Sequence, residues 1–144
     1  MSPAGESRSA ARPTGERLRV WLAALLPVVI YAALIFLLSS QSKLPPSPVG
    51  DKLAHFAEYA VLGFLLARAV YLLRDRGVRR AGAVAVLLAT AFGLTDEIHQ
   101  YFVPNRDASL LDLVADFLGS VAGALAYVVL VSEVEARSCN GRER

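Results

Sequence analysis

The sequence predicts an all-α protein, an integral membrane bundle of four transmembrane helices with both termini cytoplasmic. Three observations predict it. The 144 residues are 55% hydrophobic and only 19% charged, with a mean hydropathy of +0.45, which leaves too little polar side chain to cover a soluble domain of this size. Four apolar stretches follow one another through short, breaker-rich links, and about 20 such residues cross a bilayer. The basic residues gather on one side of those stretches.

The first stretch, Val20–Leu38, follows Arg8, Arg12, Arg17 and Arg19, as a secretory signal would. It is longer than a signal's apolar core and runs into Ser39-Ser40-Gln41-Ser42, without a small-residue cleavage site, so it reads as a retained helix. Leu44-Pro45-Pro46-Ser47-Pro48 then breaks the helix. The second stretch, Leu53–Leu73, carries His55, Glu58 and Arg68, the last near its end and read as snorkelling. The third is cleanly apolar only over Ala81–Leu94, roughly 21 Å of a hydrocarbon core about 30 Å thick. To cross, it must carry Thr95, Asp96, Glu97, His99 and Gln100 at or just inside the far interface. Val103-Pro104-Asn105-Arg106 turns it into the fourth, Leu110–Val131, which holds Asp112 and Asp116.

Basic residues set the orientation. Four Arg precede the first span. Arg74, Arg76, Arg79 and Arg80 lie between the second and third, and Arg137, Arg142 and Arg144 follow the fourth. The opposite side has Lys43, Lys52 and Arg106 alone. Residues 1–19 and 133–144 therefore read as cytoplasmic tails, flexible over 1–17 and from Glu135, around one membrane domain at 20–132 with spans at 20–38, 53–73, 81–102 and 110–131. Cys139, the single cysteine, excludes an internal disulfide framework.

With that topology, the polar residues of three spans meet at the outer leaflet. Asp51, His55 and Glu58 fall on one face of the second helix, Gly93, Asp96, Glu97 and Gln100 on one face of the third, and Asp112, Asp116, Gly119, Ser120 and Gly123 along the fourth. Ionisable groups at membrane depth are costly and usually face the protein interior. Plainer explanations compete at several positions. Helix capping accounts for Asp51, and a capping box with Ser109 for Asp112. Interfacial anchoring accounts for Lys52, belt or core filling for Tyr59, and interface exposure for His99. Gly119 and Gly123 fit small-xxx-small packing. His55, Glu58, Glu97 and Asp116 have no capping explanation, and a shared polar site is the reading for them.

These residues come in three ordered motifs: Asp51-Lys52-Leu-Ala-His55-Phe-Ala-Glu58-Tyr59-Ala-Val-Leu-Gly63, Thr95-Asp96-Glu97-Ile-His99-Gln100 through Pro104-Asn105-Arg106, and Asp112 through Gly119 and Gly123. In this the chain resembles the VanZ-like family, named for a protein associated with teicoplanin resistance, over about residues 20–131. The resemblance implies that Asp51, Lys52, His55, Tyr59, Asp96, Glu97, Gln100, Arg106, Asp112, Asp116 and Gly119 form the polar signature. Asn105 stands where Gly usually precedes the Arg, and Asp116 where Asn is usual.

The expected function is binding at the bacterial plasma membrane. An outward polar site formed by Asp51, Lys52, His55, Glu58, Tyr59, Asp96, Glu97, Gln100, Arg106, Asp112 and Asp116 suits an amphiphile whose tail lies in lipid. A membrane lipid, a lipoglycopeptide antibiotic or a lipid-linked wall precursor fits that description, with a role in envelope protection and glycopeptide resistance. Lys52 and Arg106 would meet an anionic head. The alternatives are a metal-dependent hydrolase of a lipid substrate, with these carboxylates and His55 as ligands, and a small proton-coupled transporter. No metal site is assigned, because the chain has no His-Glu-x-x-His and no Cys pair. The cofactor stays unknown and a homo-oligomer stays open. Nucleic acid is not an expected partner, since topology already accounts for the basic residues.

Overall fold

The structure, a computed structural model, describes residues 13–41, 48–74, 77–104, 106 and 108–141. The expectations placed on Arg8, Arg12, Lys43, the Leu44–Ser47 breaker, Arg76, Asn105, Arg142 and Arg144 lie outside these residues. Four helices account for nearly everything described: α1 (Thr14–Ser39), α2 (Pro48–Leu73), α3 (Val78–Tyr101) and α4 (Leu110–Asn140). All four are long and apolar enough to cross a membrane. Large apolar side chains such as Leu37, Leu53, Leu87 and Leu110 are exposed on every helix, as expected where the surrounding solvent is lipid and not water.

The helices outrun their apolar stretches. α1 starts at Thr14 and α4 continues to Asn140, where loose tails over 1–17 and from Glu135 were expected. The extra turns are built from ordinary helix formers, and Glu133 and Arg137 stand one turn apart with their charges 3.7 Å from each other. Pro48 opens α2, a position where its missing N–H costs nothing.

α2, α3 and α4 pack mutually, with α2 against α4 the most extensive pair, while α1 lies mainly along α2 and barely meets α3. α2 and α4 touch backbone to backbone. A Cβ on Gly119 would lie 2.2 Å from the Phe56 carbonyl oxygen, and one on Gly123 only 1.8 Å from that of Ala60. Small residues at a spacing of four thus set the approach, as in other membrane helix pairs. α3 presents a matching narrow face: Ala81, Ala85, Ala89 and Gly93 are buried in series, and the same face continues into Asp96, Glu97 and Gln100.

α1 is fastened by side chains from its neighbours. Pro27 lies inside it and has no N–H to offer the carbonyl of Ala23, four residues back. Arg68 of α2 donates to that carbonyl at 2.9 Å. Arg68, expected to snorkel, thus supplies a donor to the carbonyl that this proline leaves without one.

Candidate functional site

Antiparallel packing brings the C-terminal ends of α1 and α3 to the N-terminal ends of α2 and α4. Asp116 lies about 9 Å along α4 from its first residue, and Asp96 roughly 7.5 Å from the end of α3. His55, Asp96, Glu97, Gln100, Asp112 and Asp116 are all buried there.

At this end two side-chain links join α2 to α4. Lys52 Nζ donates to Asp112 Oδ1 at 2.7 Å, and His55 Nδ1 lies 2.9 Å from Asp116 Oδ1. Asp116 has no exposed surface, and Gly93 is what admits it to α3: a Cβ there would stand 2.8 Å from Asp116 Oδ2. Arg106 reaches across the rim. Its Nη1 lies 3.7 Å from Asp51 Oδ1, while Nε and Nη2 donate to the carbonyls of Gln41 and Leu38 at 3.3 Å. A basic side chain on the last carbonyls of α1 suits the negative end of that helix.

The capping explanations come out differently from their expected forms. Asp51 sits inside the first turn of α2, beyond Pro48. Ser109 does cap α4, its hydroxyl accepting from Leu111 N–H at 3.2 Å. The return half of the capping box comes from another helix, because Ser109 N–H donates to Glu97 Oε2 at 2.8 Å. Asp112 is thereby left for Lys52.

Asp96 is fully engaged, accepting from Gln100 Nε2 at 3.0 Å and from the hydroxyl of Ser39. Tyr59 is completely buried in the layer, its ring 6.3 Å from that of Phe92. Three buried polar atoms have no hydrogen-bond partner among the described residues: Tyr59 Oη, Glu97 Oε1 and Asp116 Oδ2. Glu58 stands apart. It is half-buried, near Tyr31 of α1, and makes no hydrogen bond or ion pair among the described residues. His99 also lies off the cluster, its ring 4.3 Å from that of Phe36 and its Nε2 3.0 Å from Ser40 Oγ.

Ten of the eleven expected positions thus contribute to one polar end, and residues 7–131 match the sequence pattern of the VanZ/LLP1 family. The chain belongs to that family. An uncharacterised protein of Schizosaccharomyces pombe is 37% identical to this VanZ/LLP1 protein over 85 residues, 58% of the chain and 50% of the relative. The chain therefore spans about half the length of that relative. No solved structure matches. As a VanZ/LLP1 protein with four membrane-length helices, it is a multi-pass membrane protein.

Two members of the site escape sequence reasoning. Ser39 was read only as the end of an apolar run, although the Ser39-Ser40-Gln41 sequence at the same level as Asp96 is a usable signal. Ser109 was read as a cap, and its backbone link to Glu97 has no trace in local spacing.

Proposed function

We propose that this VanZ/LLP1 protein binds the polar head of an amphiphile at the extracytoplasmic end of its bundle and so contributes to protection of the bacterial cell envelope. The observation that carries this is the rim. Lys52 and Asp51 are 36% and 41% exposed in their side chains, each paired with a more buried charge, Asp112 and Arg106. Lys52 keeps further N–H donors beyond its bond to the buried Asp112, so an anionic head can add charge-assisted bonds there without stripping that carboxylate. It can also displace the half-exposed Asp51 from Arg106 at little cost, loose surface pairs being worth only about 0–1 kcal/mol. The apolar sides of the helices, beginning at Leu53 and Leu110 beside the rim, accept the tail. By contrast, the groove of about 340 Å³ between α3 and α4 is lined by Gly82, Val86, Val121 and Val128, with Arg79 its single charged side chain.

Lipid, lipoglycopeptide and lipid-linked wall precursor share an amphiphilic form, and the assay tells them apart. Detergent-purified protein in EDTA is titrated with a fluorescent anionic lipid, with a lipoglycopeptide, and with a lipid-linked wall precursor. Binding is expected to weaken as salt rises, because rim charges are screened, and Lys52→Ala is expected to weaken it a few-fold. No binding of any of the three at low salt would overturn the reading. The orientation is tested in a Cys139→Ser background on intact cells. Ser47→Cys is expected to react with a membrane-impermeant maleimide and Gly5→Cys to be protected; the reverse would put the site inside.

A further inference from the structure

We propose that His55, Glu97 and Asp116, below the rim, form a binding site for one divalent first-row metal cation. The inference does not depend on what the rim binds.

Each of the two carboxylates is half satisfied. Asp116 Oδ1 faces His55 and Glu97 Oε2 accepts from Ser109 N–H, while Asp116 Oδ2 and Glu97 Oε1 are buried without a hydrogen-bond partner among the described residues. Asp96, one residue from Glu97, has both oxygens engaged, so the deficit is local. A buried polar atom left unsatisfied costs about 1–3 kcal/mol, and more when charged. Two such atoms on adjoining residues, with Tyr59 Oη a third in the same layer, call for one ligand that serves them together.

Charge specifies that ligand as a cation. Asp51, Glu58, Asp96, Glu97, Asp112 and Asp116 share this end with Lys52, Arg106 and two imidazoles, His55 within the cluster and His99 off it against Ser40. Both fixed cations are drawn to the rim carboxylates, Lys52 to Asp112 and Arg106 to Asp51. Among the described residues no Lys or Arg is hydrogen-bonded or ion-paired to Glu97, and Lys52, within electrostatic reach of it, is held by Asp112.

Distance fits as well. One donor atom from each of His55, Glu97 and Asp116 lies within 4.8 Å of the other two, and all three residues are buried. Donors bound at about 2.0–2.2 Å to one ion stand roughly 3–4 Å apart, so the set needs a contraction on the order of 1 Å. A second group, Asp51, His55 and Asp112, meets the same distance limit, but Asp112 is held by Lys52, and Asp51 is only half-buried and faces Arg106. One imidazole with two carboxylates suits Mn²⁺, Fe²⁺ or Zn²⁺; Ca²⁺ prefers six to eight oxygens. The three ligands come from three helices, which is why no local motif announced a metal. Asp116, standing where the resembled family usually has Asn, supplies the second anionic ligand.

The test uses the full chain in detergent, treated with EDTA and dialysed, with Mn²⁺ followed by electron paramagnetic resonance. One saturable ion per chain is expected. Glu97→Gln and Asp116→Asn should each weaken binding by at least about tenfold, while Glu135→Gln, at the opposite end, should leave it unchanged. Should the site variants fold poorly, the wild-type chain decides: Mn²⁺ and Zn²⁺ should raise its unfolding temperature, Ca²⁺ should not, and EDTA should reverse the gain. Wild-type protein that takes up neither Mn²⁺ nor Zn²⁺, or binding that survives both substitutions, would overturn the site and leave ordered water as the occupant. Amphiphile binding in EDTA without cation uptake would remove this site alone; cation uptake without amphiphile binding would remove only the rim reading.

Discussion

At one end of the α2–α4 interface Lys52 meets Asp112 and His55 meets Asp116; from the next turn onward the same helices touch backbone to backbone at Gly63, Gly119 and Gly123. Lipid is as apolar as leucine, so neither region gains from hiding oily surface, and each must hold by something else. The glycine region holds by shape and has no spare volume. The charged region holds by pairing, and its groups are costly only when a partner is missing. The first should fail on adding one carbon, the second on removing one charge.

The largest effect is expected from Gly123→Ala. Its Cβ would be 1.8 Å from a backbone oxygen of Ala60, which cannot rotate away, whereas Gly82→Ala would meet the Val128 Cγ2 methyl at 2.9 Å. Gly123→Ala should exceed the usual overpacking cost of about 1–3 kcal/mol, and Gly82→Ala should fall at or below its lower end. Thermal unfolding in detergent measures both, and equal melting temperatures would break the contrast.

His55→Ala comes next. It strips the fully buried Asp116 of its partner, and removing one member of a buried pair costs about 3–5 kcal/mol. The double change His55→Leu with Asp116→Leu should recover much of that loss. A single variant as stable as wild type would show that the pair contributes shape alone. The smallest effect is expected at α1. Arg68→Met removes one hydrogen bond to Ala23, worth about 1 kcal/mol, and should speed hydrogen exchange in α1 around Pro27 without altering exchange at the α2–α4 glycines.

Much of the polar end was legible because helical periodicity is a local property. His55 three residues from Glu58, and Asp96 and Glu97 four and three residues before Gln100, mark faces whatever the fold. Periodicity names a face without naming its partner, and Glu58 shares the stripe of His55 yet makes no hydrogen bond or ion pair among the described residues and lies near Tyr31. Other contacts depended on which helix lies beside which. Ser39 joins Asp96 across 57 residues, and Glu97, rather than Asp112, completes the cap of α4. The partner of Arg68 was illegible for a related reason: it is a carbonyl made available by a proline on another helix. The helices run past the apolar stretches because apolarity marks the length suited to lipid, whereas backbone hydrogen bonding can continue a helix beyond it.

The division of labour among the helices also bears on biogenesis. α1 carries no ionisable side chain between Arg19 and its end at Ser39, apart from Tyr31, so it can rest in the bilayer alone as soon as it leaves the translocon. α2 and α3 cannot do so as cheaply, since His55 and Lys52 await Asp116 and Asp112, and Glu97 awaits the backbone of Ser109. All of those partners lie on α4 or at its start, which is synthesised after the other three. A nascent chain halted before residue 109 would hold uncompensated charge in lipid, a mark by which membrane quality control can recognise an unfinished copy.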